Sequence, residues 1–250
     1  MEYTLITADK NKEFLNDGQN IVENVWPEFM LYDEVACELF FQLYESFPEF
    51  QFWLVDKENS NKIVGIGNSI PLFYNNELQD LPRSGWDYAL KKGFDNRKQG
   101  IEPNMVCALS ITMNPEYRGK GISYEMVRSM INVTKKNKFN KLILPVRPSG
   151  KCQYPLISIE SYIEKWNRDD GFSYDPWLRV HQKIGGKIIK PCNQSMLIKG
   201  TVSQWQNWTG MYFAETGDYI IDGGLVPVHI DVEKDIGIYI EPNVWMIHKI

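Results

Sequence analysis

The sequence has no apolar run of the roughly 18 residues that a membrane-spanning helix requires. Its N-terminal stretch, MEYTLITADKNKEF, has neither the basic start nor the apolar segment of a secretory leader. These absences argue against a membrane partner and against secretion, and we therefore expect a cytoplasmic protein.

Cysteine and histidine are scarce, with 4 and 3 copies. The cysteines stand far apart and form no C-x-x-C pair, at Cys37, Cys107, Cys152 and Cys192. This spacing is typical neither of a zinc site nor of a disulfide framework. We expect free thiols and no bound metal.

Positive charge is also in deficit, because 27 Lys and Arg face 32 Asp and Glu and give a net charge of −5. A protein whose main partner is nucleic acid needs a basic face for the phosphates, so we expect no nucleic-acid partner. Two common phosphate loops are missing as well. No G-x-x-x-x-G-K-[ST] occurs, and Gly119 to Tyr124 lacks the third glycine of a dinucleotide fingerprint.

Apolar and aromatic residues, in contrast, are plentiful. Hydrophobic residues make up 43% of the chain, with 8 Trp, 13 Tyr and 12 Phe. This composition predicts a folded globule with a sizeable core. The chain contains no internal repeat, and its length allows one large domain or two small ones.

The most informative stretch runs from Met105 to Lys136. Residues 105–113 are small or apolar, as in a strand buried on both faces. After a break at Asn114-Pro115 come Arg118-Gly119-Lys120-Gly121, and from there apolar residues recur at helical spacing, at Ile122, Met126, Val127, Met130, Ile131 and Val133. Glycines in a strand-to-helix turn and the free N–H groups of the first helical turn together favour an anion such as a diphosphate.

The segment N-P-E-Y-R-G-K-G-I-S resembles the acyl-CoA-binding motif R/Q-x-x-G-x-G/A of the GNAT-type N-acetyltransferase superfamily. Glu116 stands where that motif has Arg or Gln. A later segment, PWLRVHQKIGG at residues 176–186, resembles the Y-x-K-x-G-F ending of the helix that lies over the CoA arm in this family, with His181 in place of the usual Tyr.

The resemblance implies an α/β (α+β) fold with a GNAT-like mixed, mostly antiparallel central sheet flanked by helices. It also implies a single domain over residues 1–250, with a core of about residues 3–200, an insertion at 73–103 and a β-rich C-terminal extension at 201–250. The cofactor would be acetyl-CoA or coenzyme A. The resemblance implies cofactor-binding roles for Ile111, Met113, Arg118, Gly119, Lys120, Gly121, Ile122 and Ser123, with a backbone N–H near Ile111 as donor to the thioester carbonyl.

Three side chains are candidates for proton transfer to and from the reacting groups. His181 matches the tyrosine position and would be the acid, since an ordinary histidine pKa of about 6.5 suits transfer near neutral pH; a structural histidine bonded to a carbonyl is the alternative. Glu116 and Glu160 are candidate bases, although the position of Glu116 is more typical of an acid in a surface turn. His229 and His248 have no evident partner, and we expect them to be structural.

The local patterns predict the remaining elements. A strand is expected at Tyr3–Thr7, two helical stretches at 20–47 with a kink at Pro27, and a strand hairpin at Phe50–Val55 and Ile63–Leu72. Residues 73–103 are interpreted as a lid or substrate-facing insertion with one short helical run at 87–91, and a surface excursion of no catalytic importance is the alternative. Further elements are expected as a strand at Lys141–Val146, a helix carrying Leu156 to Trp166, a strand at Lys187–Thr201 with a turn at 191–193, and strands at Leu225–Val232 and Ile236–Ile240.

The function predicted is acetyl transfer from acetyl-CoA directly to a primary amine, on a small molecule or a protein. The acidic charge and the aromatic C-terminal segment favour a cationic acceptor that stacks on rings. Two alternatives stay open: a non-catalytic acyl-CoA-binding module, and a transferase with a longer or carrier-bound acyl donor. A homodimer is possible.

Overall fold

The centre of the protein is an open sheet of nine strands, seen in a computed structural model that describes residues 3–250. The strands are β1 Tyr3–Thr7, β2 Gln51–Asp56, β3 Lys62–Leu72, β4 Met105–Met113, β5 Lys141–Val146, β6 Lys187–Gly200, β7 Gly217–Tyr219, β8 Val228–Asp231 and β9 Ile236–Lys249. Their order is β1-β2-β3-β4-β5-β9-β8-β7, and β6 also pairs with β9. Only β4 and β5 pair in parallel among the strands of residues 3–250. The mixed, mostly antiparallel sheet is confirmed.

Helices flank the sheet. They are α1 Leu15–Val25, α2 Glu34–Leu39, α3 Leu43–Ser46, α4 Gly85–Gln99, α5 Ile122–Lys136, α6 Ile159–Lys165, α7 Pro176–Lys183 and α8 Val202–Thr209. Short 3₁₀ turns occur at Glu28–Tyr32, Pro48–Phe50, Leu78–Asp80, Pro115–Tyr117 and Lys151–Gln153. No helix in the described part of the chain combines the length and apolarity that crossing a bilayer requires.

The N-terminal helical region is more broken than its periodicity predicts. Pro27 ends α1, because the residue before a proline avoids helical angles, and Trp26 accordingly is extended with ψ of 145°. Asp33 then begins α2 by accepting a hydrogen bond from the Ala36 N–H at 2.8 Å. Three short helices and a 3₁₀ turn therefore replace the two helices expected over 20–47.

The segment 73–103 is more regular than predicted, since its main element is the 15-residue helix α4 and not only a short helical run near 87–91. The surface excursion given as an alternative is wrong, whereas the substrate-facing role stays a prediction. Trp86, Ala89 and Leu90 recur at helical spacing and are buried in the core. Gly93 lies on the same face of α4 and packs against β3. A Cβ added at Gly93 would lie only 2.3 Å from the Ile70 side chain. A glycine that looks like a helix breaker in sequence is thus a close contact between α4 and the sheet.

The helices after β5 also differ in detail from the prediction. α6 begins only at Ile159, after Ser158, whose side chain accepts a hydrogen bond from the Ser161 N–H. Leu156, expected on the buried face of this helix, is 75% exposed. α7 follows its prediction closely, since Asp175 caps it and Gly185 follows its end at a φ of +90°.

The C-terminal fifty residues complete the sheet. β9 continues to Lys249 and not just to Ile240, and its second half pairs with β5 from Val146↔Val244 to Lys141↔Lys249. Its other neighbour is β6, which is one strand with irregular register between Cys192 and Met196, close to the predicted turn. Helix α8, which was not predicted, places Trp205 in the core.

Candidate active site

The two parallel strands separate and open a cleft. β4 and β5 pair only at Val106↔Leu142 and Cys107↔Ile143, although both continue beyond these pairs. A cleft of about 930 Å³ lies beside the separated halves. Its lining includes residues 108–113 of β4, Leu144 to Arg147 at the end of β5, parts of α1, α2 and α7, and the start of α5.

The glycine turn, residues 118–121, adjoins this cleft. Gly119 and Gly121 have φ of +77° and +75°, angles that disfavour any residue with a Cβ, and open space lies where a Cβ would be. Gly121 begins α5 without a side-chain cap, so the first amides of α5 are not taken by a capping side chain. A buried hydrogen bond of 3.1 Å from Tyr117 Oη to Asp56 Oδ2 anchors the turn. Uncapped amides, two open glycines and the positive helix end fit a diphosphate group.

The residues expected to hold the cofactor fall into two groups here. Ile111, Met113, Arg118 and Ser123 line the cleft. Gly119, Lys120 and Gly121 form the turn, and Ile122 buries its side chain in the core, leaving only its backbone for a ligand. Their individual roles toward the cofactor stay predictions.

Neither candidate base lines the cleft. The Glu116 carboxylate is exposed and forms an ion pair with Lys62 at 2.6 Å. Glu160 is half-buried, and its Oε1 lies 3.4 Å from Asn193 Nδ2. Both assignments remain predictions. The carboxylates that do line the cleft, within residues 3–250, belong to Glu23, Glu45 and Glu241.

His181 lines the cleft from α7 and has a partner that the sequence did not reveal. It is 3% exposed, and its Nδ1 lies 3.1 Å from Nε2 of His248 on β9. Burial, with a smaller effect of His248, lowers the pKa of His181 to about 3. The ordinary pKa expected for His181 was therefore wrong, because the protonated ring would be desolvated here. Burial likewise lowers the pKa of His248 to about 4, so both rings are neutral at pH 7.

Aromatic rings form a further part of the cleft lining. This aromatic wall consists of Trp26, Phe40, Phe41, Tyr44, Trp86 and Trp177. Two of its rings are fixed by hydrogen bonds to β4: Trp26 Nε1 donates to Thr112 Oγ1 at 2.9 Å, and Trp86 Nε1 donates to the Leu109 carbonyl at 2.8 Å. Such rings were expected in the C-terminal segment, but Trp205 and Trp245 there are fully buried core residues.

A buried ion pair lies in the cleft lining beside the end of β5. Arg147 Nε lies 2.5 Å from Oε1 of Glu241, whose side chain has no exposed surface. The other Glu241 oxygen accepts a hydrogen bond from the Tyr239 hydroxyl. Burial raises the pKa of Glu241, and the neighbouring guanidinium opposes that rise.

Arg147, Glu241 and His248 were not predicted as site residues, although one signal for the ion pair was present. Apolar side chains dominate residues 236–240, and an acid that continues such a strand is a buried charge that needs a cationic partner. Local pattern could not identify Arg147 as that partner, because the two residues lie far apart in sequence and meet only in the folded sheet.

Comparison with known proteins gives the family context. The chain is 31% identical to the arginine N-acetyltransferase avaD of Aspergillus versicolor, over 99% of this chain and 94% of that protein. Two solved structures share the fold over the full chain: the loading GNATL domain of CurA from Lyngbya majuscula, with a TM-score of 0.64 and 19% identity over 98% of that chain, and the GNAT-like decarboxylase GphF in complex with isobutyryl-CoA, with a TM-score of 0.57 and 11% identity over 99% of that chain. No family model matches the sequence.

Proposed function

Since the chain belongs to the GNAT superfamily and is an acyl-CoA-dependent N-acetyltransferase, we propose that its acceptor is a small molecule that carries a guanidinium group, arginine or a derivative of it. The observation that carries this proposal is the composition of the cleft lining, where fixed aromatic rings occur together with carboxylates. The arginine N-acetyltransferase to which the chain is similar supports the same class of acceptor.

The donor side of the cleft is the glycine turn and the separated half of β4. Acetyl-CoA, when bound, supplies the acetyl group as an activated thioester. The amides at the start of α5 and the Arg118 guanidinium would hold its phosphates, since both present N–H donors and positive charge at the turn. Beyond Cys107, the edge of β4 that faced β5 has no strand partner within residues 3–250 and is available to the pantetheine amides.

The acceptor side is the aromatic wall. A guanidinium is planar and weakly hydrated, and it stacks well on tryptophan and tyrosine rings. Trp26 and Trp86 are held in place by β4 itself, so an acceptor stacked on them lies next to the strand that carries the donor. Glu23 and Glu45 on the exposed rim add negative charge that attracts a cation.

In this proposal the neutral imidazole of His181 is a hydrogen-bond donor in the cleft. When His248 Nε2 donates to His181 Nδ1, the single ring proton of His181 lies on Nε2, where it is a donor. In this proposal that nitrogen faces the departing sulfur and stabilises it, with the incoming amine losing its proton to water in the cleft. The departing group then needs no tyrosine at this position.

A panel of acceptors tests the proposal. Purified protein with acetyl-CoA is offered arginine, agmatine, lysine, tryptamine and a lysine-containing peptide, and thiol release is followed with time. We expect kcat/KM to be highest for the two guanidinium compounds. Preference for tryptamine or for the peptide over both of them would refute the guanidinium assignment while leaving the acetyltransferase activity intact.

A homodimer stays a prediction of the sequence alone. Light scattering coupled to size-exclusion chromatography decides the oligomeric state.

A further inference from the structure

Arg147 is held in a fixed orientation in the lining of the cleft. Its Nε lies against Glu241, and its Nη2 donates to the Gly223 carbonyl at 2.5 Å. Glu241 is itself fixed by the Tyr239 hydroxyl, which in turn accepts a hydrogen bond from the Leu225 N–H at 2.8 Å. A guanidinium anchored on two of its nitrogens has little rotamer freedom left, so its third nitrogen points in one direction.

The remaining nitrogen, Nη1, donates no hydrogen bond to the described residues 3–250, since the contacts of this guanidinium are made by Nε and Nη2. Arg147 lines the cleft with a side chain that is 17% exposed, and its guanidinium carbon lies 6.0 Å from the centre of the Trp26 ring. An oriented donor therefore stands next to a ring on which the acceptor would stack. Because Glu241 neutralises the charge of Arg147, this donor does not repel a cationic acceptor.

We propose that Arg147 binds a carbonyl or carboxylate oxygen of the acceptor, which makes the acceptor an amino-acid derivative and not a simple amine. This inference rests on the proposed function, because it concerns the same acceptor. A planar donor held by a buried carboxylate is suited to an oxygen acceptor, and an acceptor without that oxygen would leave Nη1 desolvated and unpaired. The pair Arg147 and Glu241 thus selects for the group on the α-carbon, while the aromatic wall selects for the guanidinium.

Matched acceptor pairs distinguish recognition of the α-carbonyl group from recognition of the guanidinium. Each pair has one member with and one without the α-carbonyl: arginine and agmatine, lysine and cadaverine, tryptophan and tryptamine, with argininamide added to distinguish a carboxylate from a neutral carbonyl. We expect kcat/KM for the carbonyl-bearing member to be about ten- to a hundredfold higher within the preferred pair. Equal rates within that pair would overturn this inference and leave the proposed function standing. Preference for the lysine or tryptophan pair would instead refute the guanidinium acceptor.

A double variant tests the residue itself. Arg147→Met combined with Glu241→Gln removes both charges, so no buried carboxylate is left unpaired, and the introduced amide can still accept from the Tyr239 hydroxyl. We expect kcat/KM for arginine to fall about tenfold or more through a higher KM, while kcat/KM for agmatine changes less than about threefold. A loss for argininamide equal to the loss for arginine would support a neutral carbonyl as the group that Arg147 binds.

The matched control is Arg168→Met with Asp170→Asn, which removes an exposed ion pair of 3.6 Å outside the cleft lining. This control should leave the arginine-to-agmatine ratio unchanged. The thermal shift produced by acetyl-CoA reports folding and donor binding in both double variants, and it should match that of the parent. A double variant at 147 and 241 that folds, binds acetyl-CoA and loses arginine and agmatine activity to the same extent would refute the inference, because Arg147 would then only anchor the chain at Gly223.

Discussion

Replacing Asp87 by Asn should stabilise the protein in mildly alkaline solution. Asp87 on α4 is half-buried and interacts directly with Asp33, a fully buried carboxyl at the start of α2. One oxygen of each accepts from a backbone N–H: Asp33 Oδ1 from Ala36 at 2.8 Å and Asp87 Oδ2 from Leu197 at 3.2 Å. The other oxygens, Asp33 Oδ2 and Asp87 Oδ1, are buried without a further partner in residues 3–250. Two charged carboxylates cannot share this space, so one of them holds a proton.

Burial, and then the charge of Asp33, raise the pKa of Asp87 from 3.8 to about 8. The folded protein therefore binds this proton more tightly than the unfolded chain does. The resulting stabilisation is complete below about pH 4 and is lost as the pH rises to about 8. A shift of about four pKa units corresponds to about 5–6 kcal/mol, which is an upper bound on the loss of stability. With partial exposure and nearby Lys91, we take about 2 kcal/mol as the loss, which is about 4–8 °C in Tm for a chain of this size.

The asparagine amide has the shape of the protonated carboxyl and can donate to Asp33 Oδ2 at every pH. The difference in Tm between the Asp87→Asn variant and the parent, measured by scanning calorimetry, should be small at pH 5 and about +4 to +8 °C at pH 8.5. Asp95→Asn removes the same charge on the exposed side of α4 and should show no such pH dependence. A difference for Asp87→Asn that is the same at both pH values would refute the shared proton.

Three further predictions concern the glycine turn, His181 and the candidate base Glu116. Gly121→Ala forces a Cβ onto a φ of +75° and should cost about 1–2 kcal/mol at the turn, raising KM for acetyl-CoA with little change in the acceptor preference. His181→Phe should lower kcat about a hundredfold while the thermal shift with CoA persists; because the pKa of His181 is lowered to about 3, the parent rate should show no ionisation of this residue near pH 6.5. Glu116→Gln removes only an exposed ion pair with Lys62, and unchanged steady-state rates would argue against Glu116 as the base.

Local sequence patterns predict those elements whose signals lie within a few neighbouring residues. The residues of β4, the glycine turn and the buried face of α5 agree with the structure, because strand composition, positive φ and helical period are each encoded within a few positions. α4 was predicted only as a short run at 87–91, because a glycine such as Gly93 usually interrupts a helix, whereas here it packs closely against Ile70. β9 was cut short because Glu241, Pro242 and Asn243 interrupt an apolar strand, and the partner of Glu241 is distant in sequence.

The two sides of the candidate site also differ in how much of each could be predicted from local pattern. The donor side is a continuous motif, so its residues could be named from the sequence alone. The acceptor side is assembled from the end of α1, the end of β5 and β9, and only the folded sheet brings Trp26, Arg147 and Glu241 together. His181 could be named from its position in α7, but its pKa could not, because burial and the contact with His248 determine it.

The place of β9 in the sheet has a consequence for how the chain folds during synthesis. The ribosome releases the N-terminal half first, so β1 to β5 can pair while β9 has not yet been made. Until then β5 has an unpaired edge of apolar residues, Leu142 to Val146, of the kind that joins to other chains. A nascent chain that lacks β9 would therefore be prone to aggregate. Truncations at the C-terminus should affect yield much more than those at the N-terminus.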